Sequence, residues 1–294
     1  MNCLVCKSSN VVPHSVHDGI DYFSCRDCGS ISVDRPALQK RTAEARAYDE
    51  AYWSSELQSA RSRSFGSSIN RVAETLLYSR IPVTNFVDIG SGPGYLLDSL
   101  ATLLPQFSTS LHGIELFPPP EAYRSQHANY KIGRLADLQV RVSAGVCIEV
   151  IEHLFPETLE QLVSELAIVS ESGALFFFNS GQPDYVDRED PGYLDPFGRG
   201  HIISYSVKGL KPIFERHGFT LFSLPGRSWG FLAEFRSRER QELSADELQT
   251  RLWTAHPENV EMLKRNAFGP MLHTMGIESA RCYLEASRAT GNAP

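Results

Sequence analysis

Asn85-Phe86-Val87-Asp88-Ile89-Gly90-Ser91-Gly92-Pro93-Gly94-Tyr95 decides the fold, because it reads as a buried strand that runs into a glycine turn and opens a helix. The helix is expected from Tyr95 to about Leu104. Gly90, Gly92 and Gly94 let the backbone turn tightly and come close to a ligand, and the first N–H groups of the helix point at whatever sits there. A dinucleotide fingerprint requires G-x-G-x-x-G, but Tyr95 stands three residues after Gly92 and the third glycine comes one position early, at Gly94. Asp88 at the strand end repels phosphate and attracts a cation. The turn therefore disfavours a pyrophosphate and predicts a small cofactor carrying positive charge.

Outward from this turn, a second strand is expected over Ser110 to Leu116, ending in Glu115 about twenty residues beyond the glycines. An acid there takes hydrogen bonds from a ribose in a nucleotide-binding α/β fold, or caps the segment after Pro118-Pro119-Pro120. A third apolar strand, Gly145 to Ile148, runs into Glu149-Val150-Ile151-Glu152-His153-Leu154. A helix over Pro156 to Val169 and a strand over Ala174 to Phe178 follow in βαβ order.

The acid-x-Gly-x-Gly-x-Gly arrangement resembles motif I of the class I methyltransferases, and Glu149 to Leu154 resembles their motif IV. The resemblance covers about residues 70 to 224. It implies an α/β fold, a Rossmann-like sheet with helices on both faces, and an enzyme whose cofactor is S-adenosylmethionine. Carried onto this sequence, it implies a cofactor site formed by Asp88, Gly90, Gly92, Gly94, Tyr95, Glu115, Leu116, Glu149 and Val150. Two departures stand out. Glu171-Ser172-Gly173 replaces the usual Pro-Gly-Gly, and Arg134 occupies the end of the third strand where the family often has an adenine-binding acid, which leaves either Asp137 or backbone groups to take that role. Tyr48-Asp49-Glu50-Ala51-Tyr52-Trp53 resembles the aromatic-acidic segment that covers the cofactor's methionine end, so Tyr48 and Tyr52 join the cofactor set; four apart, they share a helix face and equally suit core packing.

Methyl transfer from a sulfonium needs alignment and, for a weak nucleophile, a base. Candidates are His201, His153, Glu152 and Tyr205. His201 follows a long loop-like insertion, Gly181 to Gly200, whose Asp184, Tyr185, Asp187, Asp190 and Tyr193 suit a polyhydroxylated acceptor or solvent. The His-x-x-x-Tyr-Ser pattern resembles a segment of sugar C-methyltransferases in which a Glu-His pair precedes the Tyr; here Gly200 replaces the Glu, which favours a hydroxyl or amine acceptor. The alternative is that His201 caps a helix beginning near Val207.

Cys3-x2-Cys6 and Cys25-x2-Cys28 carry the spacing of a tetrahedral Zn2+ site on two knuckles, with short strands expected around Val11-Val12 and Tyr22-Phe23. Disulfides are the alternative. The sequence starts Met1-Asn2-Cys3 with no apolar signal segment, so a cytoplasmic, reducing setting is expected. A four-cysteine module ahead of such a core resembles sugar C-methyltransferases and glycan-modifying methyltransferases.

The 294 residues carry a formal net charge of −7, which makes a nucleic-acid partner unexpected, and no apolar run approaches the ~20 residues of a membrane span. The expected organisation is a zinc ribbon at 1–36, a helical lid or linker at 37–80, the methyltransferase core at 81–233 and a helical extension at 234–294 that offers a candidate homodimer surface. The expected partner is a small polar acceptor, a sugar or sugar nucleotide. An RNA or protein methyltransferase, and a non-catalytic adaptor with a methyltransferase-like core, are the alternatives.

Overall fold

The computed structural model describes residues 2–41, 57, 60–64, 66–237, 243–264 and 276. Its central sheet is built from short apolar runs whose alternate side chains enter two separate cores. In the strand Ser170–Asn179, Phe176 and Phe178 pack on one face while Leu175 and Phe177 pack on the other. Both faces are covered, so every second residue is as buried as its neighbour.

In chain order the elements are β1 (Val11–His17), β2 (Ile20–Cys25), β3 (Ile31–Val33), α1 (Arg35–Arg41), α2 (Ser67–Tyr78), β4 (Phe86–Ile89), α3 (Tyr95–Leu103), β5 (Leu111–Glu115), β6 (Tyr130–Ile132), β7 (Val142–Ile148), α4 (Pro156–Val169), β8 (Ser170–Asn179), α5 (Pro183–Arg188), β9 (Ile203–Ser204), α6 (Val207–Glu215), β10 (Phe219–Ser223), β11 (Gly230–Phe235), α7 (Ala245–Trp253) and α8 (Pro257–Lys264). The large sheet has the order β10-β11-β8-β7-β4-β5-β6. Strands β6, β5, β4, β7 and β8 are parallel, and β11 and β10 complete one edge as an antiparallel pair. The chain leaves β4 toward β5 on one side and reaches β7 on the other. Such a reversal opens a crevice at the carboxyl ends of the strands, and Asp88, Glu115 and Glu149 stand there.

Helices α4 and α6 cover one face through Leu159, Val163, Leu166, Leu210, Ile213 and Phe214; α2 and α3 cover the other through Ile69, Val72, Leu76, Leu96, Leu97 and Leu100. This is the Rossmann-like α/β arrangement expected from the strand-turn-helix pattern. Helix α2 lies in the stretch read as a lid or linker, yet Ser68 through Leu76 are all buried.

The N-terminal strands form a second sheet, β1-β2-β3-β9. Its fourth strand comes from the insertion after β8: Ile31 pairs with Ser204 and Ser32 with Ile203. Ile20, Tyr22, Ile31 and Val33 belong to the same apolar cluster as β8 and α4, so this module is packed into the main core. The insertion also departs from the expected loop by containing α5, which starts at Pro183 where a missing N–H costs nothing.

Residues 243–264 pack back onto the core. Ser244 and Glu247 make the reciprocal capping box that starts α7. Asn259, fully buried, donates Nδ2–H to the Leu76 and Ile81 carbonyls and accepts from Val83 N. Leu248 and Leu263 join the core. No helix among the described residues is long and apolar enough to cross a membrane.

Candidate active site

The carboxyl ends of β4, β5 and β7 open onto a cleft of about 500 Å³, lined among others by Asp88, Gly90, Gly92, Tyr95, Glu115, Glu149 and Val150. The glycine turn shapes it. Gly92 sits at φ +54°, and a Cβ there would meet nothing within 4 Å, which leaves its face open to a ligand. Gly94, at φ +82°, instead presses against the protein: a Cβ would lie 2.6 Å from Ser125 Cβ and 2.8 Å from Tyr130 Cδ2. Tyr130 donates its hydroxyl to the Gly92 carbonyl at 2.6 Å and holds the turn from below.

Two acids meet at this turn. Glu115 accepts from the backbone N–H groups of Gly92 and Phe117, each at 2.7 Å. Asp88 is buried, and burial together with the neighbouring Glu115 pushes its pKa up to about 7. A buried carboxylate without an opposite charge is costly, so a cationic ligand in this cleft relieves Asp88 directly. Beyond Glu115 the cleft continues into a narrow apolar slot lined by Ile114, Leu116, Phe117, Leu135, Leu154 and Leu162. Phe117 is 64% exposed and Leu116 47% exposed at its mouth, which suits a planar base.

At the other end, Glu149 adopts φ +54°, a left-handed conformation that a non-glycine residue rarely takes. Its carboxyl accepts from Asn179 Nδ2 at 2.8 Å. Burial and the adjoining Glu152 raise its pKa well above the ordinary carboxylate range. Ile148 and Glu149 form the wall between the cleft and a second cavity of about 330 Å³, which Asn179, Tyr185, Tyr193, Arg199 and Trp229 line. The floor of that cavity is braced by a buried ion network: Arg71 Nε lies 3.1 Å from Glu74 Oε2, Arg227 also pairs with Glu74, and the Arg71 guanidinium stacks 4.2 Å over the Trp229 ring.

Residues 57–224 match the family described as a methyltransferase domain. The chain belongs to that family. It is an S-adenosylmethionine-dependent methyltransferase of the class I fold, and hence an enzyme. No curated protein matches the chain. Among solved structures, it is similar to Streptomyces venezuelae DesVI at 16% identity, covering 65% of this chain and 100% of that one with a TM-score of 0.48. CalS10, an amino pentose methyltransferase from Micromonospora echinaspora, gives 16% identity, 65% and 99% coverage and a TM-score of 0.48. A putative O-methyltransferase from Nostoc punctiforme gives 16% identity, 60% and 59% coverage and a TM-score of 0.45.

The methyltransferase brings most of the predicted cofactor residues to one cleft: Asp88, Gly90, Gly92, Tyr95, Glu115, Glu149 and Val150 line it, and Leu116 lines the adjoining slot. Gly94 serves packing of the turn rather than the lining. Asp137 is not among the lining of the cleft or the slot; its carboxylate accepts from Arg134 N at 2.7 Å and caps the short turn after β6, while Arg134 pairs with Glu165. Tyr48 and Tyr52 lie outside the described residues.

The catalytic candidates divide. His153 lines the cleft and donates Nδ1–H to the Gly200 carbonyl at 3.0 Å. His201 sits behind it, its ring 4.8 Å from that of His153, with Nδ1–H donated to the Tyr193 carbonyl at 2.8 Å. His201 is only 6% exposed and lines neither cavity, and burial together with His153 lowers its pKa to about 3. Nor does it cap α6; Ser206 does, accepting from Gly209 N. Tyr205 is buried with its hydroxyl donated to the Leu154 carbonyl at 2.7 Å, which makes it a strut. Glu152 is fully buried beneath the cleft. Phe117, Asn179, Arg71 and Trp229 were not singled out from sequence. For Arg71 the signal present was a Glu three positions on in an otherwise uncharged helix; for Trp229 there was none.

The four cysteines Cys3, Cys6, Cys25 and Cys28 bring their sulfurs within 4.8 Å of one another, with Cys3–Cys28 at 3.7 Å and Cys6–Cys25 at 3.5 Å. They form no disulfide. Tetrahedral thiolates at a zinc–sulfur length of about 2.3 Å are separated by roughly 3.8 Å, so the donor set fits Zn2+. Each knuckle closes in the same way, Lys7 N on the Cys3 carbonyl and Gly29 N on the Cys25 carbonyl, with left-handed φ at both Lys7 and Gly29. The module also grips the His201 segment. Tyr22 donates its hydroxyl to the His201 carbonyl at 2.7 Å, Val33 N donates to the Ile202 carbonyl, and Ser206 Oγ donates to the Cys28 carbonyl.

Proposed function

We propose that the enzyme methylates a hydroxyl of a small polar acceptor, a sugar or sugar-containing metabolite, bound in the cavity beside Asn179, Tyr193 and Trp229. The shared wall carries this reading: Ile148 and Glu149 border both the cofactor cleft and the second cavity, so a group on the far side of Glu149 lies next to the cleft. Trp229, Tyr185 and Tyr193 offer aromatic faces, while Asn179, Glu189 and Asp190 offer hydrogen-bonding groups, a mixture that suits a polyhydroxylated ring.

S-adenosylmethionine, when bound, supplies a methyl group activated on a sulfonium: the acceptor oxygen bonds to carbon as the carbon–sulfur bond breaks and its electron pair stays on sulfur. The chain aligns the acceptor, excludes water and takes the hydroxyl proton. We assign the cofactor's cationic end to Asp88, its ribose to Glu115 and its base to the slot behind Phe117. We assign the proton to the Glu149 carboxylate, because it stands on the wall that the cofactor cleft shares with the second cavity.

We assign Zn2+ to the four cysteines in a structural role, since the module's contacts run to the His201 segment and not to the cleft. Thiolates held for zinc fit a reducing, cytoplasmic setting. We divide the chain into a zinc ribbon at 1–36, a helical lid or linker at 37–80, the methyltransferase core at 81–233 and a helical extension at 234–294.

The test is calorimetric titration of zinc-replete protein with S-adenosylmethionine and its demethylated product against an NADH control, followed by an acceptor screen that starts with nucleotide sugars. Micromolar binding of the first two without NADH supports the assignment. A protein that binds the cofactor but methylates no hydroxylated small molecule overturns the acceptor reading, and one that binds neither overturns the site.

A further inference from the structure

Below the wall that separates the two cavities lies a group of side chains that methyl transfer does not account for. One ligand atom each from Glu152, His153 and His201 fall within 4.8 Å of one another. Glu152 is 0% exposed, and neither of its carboxylate oxygens makes a hydrogen bond of ordinary length and angle, although Glu149, Ser180 and Tyr193 adjoin it. A buried carboxylate left in that condition costs several kcal/mol unless a positive charge faces it. Among the described residues the nearest ion-pairing partner is His201 Nε2, at 3.9 Å from Glu152 Oε1.

Both histidines are oriented alike. Nδ1–H of His201 is donated to the Tyr193 carbonyl and Nδ1–H of His153 to the Gly200 carbonyl. This puts the lone pair of each ring on Nε2, and a backbone carbonyl on the opposite nitrogen is how proteins fix a metal-binding imidazole. Glu149, whose carboxyl contacts that of Glu152, adds a second oxygen donor from the cleft side. Two imidazole nitrogens and carboxylate oxygen suit a first-row divalent cation, and exclude the soft thiolate chemistry of the four-cysteine module.

We propose that Glu152, His153 and His201, with Glu149 at the cavity edge, form a second metal site that takes a divalent cation such as Mn2+. Its position is what gives it use. His153 and Glu149 both line the cleft, so a cation on them stands at the border of the acceptor cavity, where it lowers the pKa of an acceptor hydroxyl and neutralises the buried acids. His201 then acts as a ligand, which explains why a histidine too buried to reach the acceptor is held by hydrogen bonds from two directions. This catalytic use rests on the acceptor reading above; the binding of the metal does not.

The experiment is an electron paramagnetic resonance titration of the full, zinc-replete chain with Mn2+, which does not displace zinc from thiolates. One Mn2+ per chain is expected in the wild type, with Glu152→Gln and His201→Gln each weakening binding at least tenfold. Wild-type protein that takes up no Mn2+ at millimolar concentration, and no Co2+ beyond the thiolate-bound equivalent seen in its absorption spectrum, overturns the proposal even if neither variant folds. Calorimetry with S-adenosylmethionine on the same samples keeps the two readings apart: cofactor binding without Mn2+ binding removes the metal site alone, and Mn2+ binding without cofactor binding removes the cofactor assignment alone.

Discussion

Asp88 offers the sharpest quantitative test. Its carboxyl is 4% exposed and its pKa stands at about 7 against an ordinary 3.8. That rise corresponds to about 4 kcal/mol. Because the folded value lies above the unfolded one, the stabilising contribution is complete below about pH 4 and is lost as pH rises through about 7. Ligand-free protein should therefore lose stability over this range, and Asp88→Asn should remove that slope and melt higher than wild type at pH 8. A cationic cofactor reverses the sense. By favouring the ionised form it binds more tightly as pH rises from 6 to 8 and releases a proton as it does so, whereas Asp88→Asn loses roughly 2 kcal/mol, about 30-fold in affinity, along with the pH dependence. Calorimetric titration with S-adenosylmethionine in two buffers of different ionisation enthalpy reads proton release directly, and thermal melts from pH 5 to 8 read the stability arm. Wild-type affinity that is flat from pH 6 to 8, or a variant that binds as tightly as wild type, would refute the reasoning.

Other consequences are equally direct. Gly94→Ala combines a left-handed φ with a 2.6 Å contact and should cost roughly 2 kcal/mol or more by urea unfolding, while Gly92→Ala meets no protein atom and should lose mainly cofactor affinity; equal effects on both quantities in both variants would show the turn has been misread. Tyr22→Phe leaves the His201 carbonyl unsatisfied, at about 1–3 kcal/mol, and should lower acceptor turnover while the S-adenosylmethionine Kd stays within twofold; a parallel fall in cofactor affinity would place the module's role elsewhere. Asn259→Ala deletes three buried hydrogen bonds and should cost roughly 3 kcal/mol in urea unfolding with the denaturant slope unchanged, and a loss below about 1 kcal/mol would mean that α8 is not anchored there.

Much of the cofactor end was legible from the chain alone, because its chemistry is local. A strand, a three-glycine turn and a helix are contiguous from Asn85 to Tyr95, and the acids that follow fall at strand ends that alternation of apolar residues locates. The four cysteines were legible for the same reason, as two pairs of fixed spacing. The direction of Asp137 was not legible, because nothing in sequence distinguishes a carboxylate facing a cleft from one that turns back to cap its own backbone three residues away.

The sequence by itself determined the class of cofactor, the order of the sheet-forming segments and the set of thiolates, each a matter of residue types at short and regular separations. Tertiary structure alone decided where His201 sits, which residues wall the second cavity and what the N-terminal module touches. Tyr22 meets His201 across 179 residues, Ser206 meets Cys28 across 178, and Glu149, Tyr193 and Trp229 converge from three separate segments. No periodicity or spacing encodes such meetings. They follow from the return of the chain through β9 to the N-terminal sheet, a two-residue pairing buried within one core.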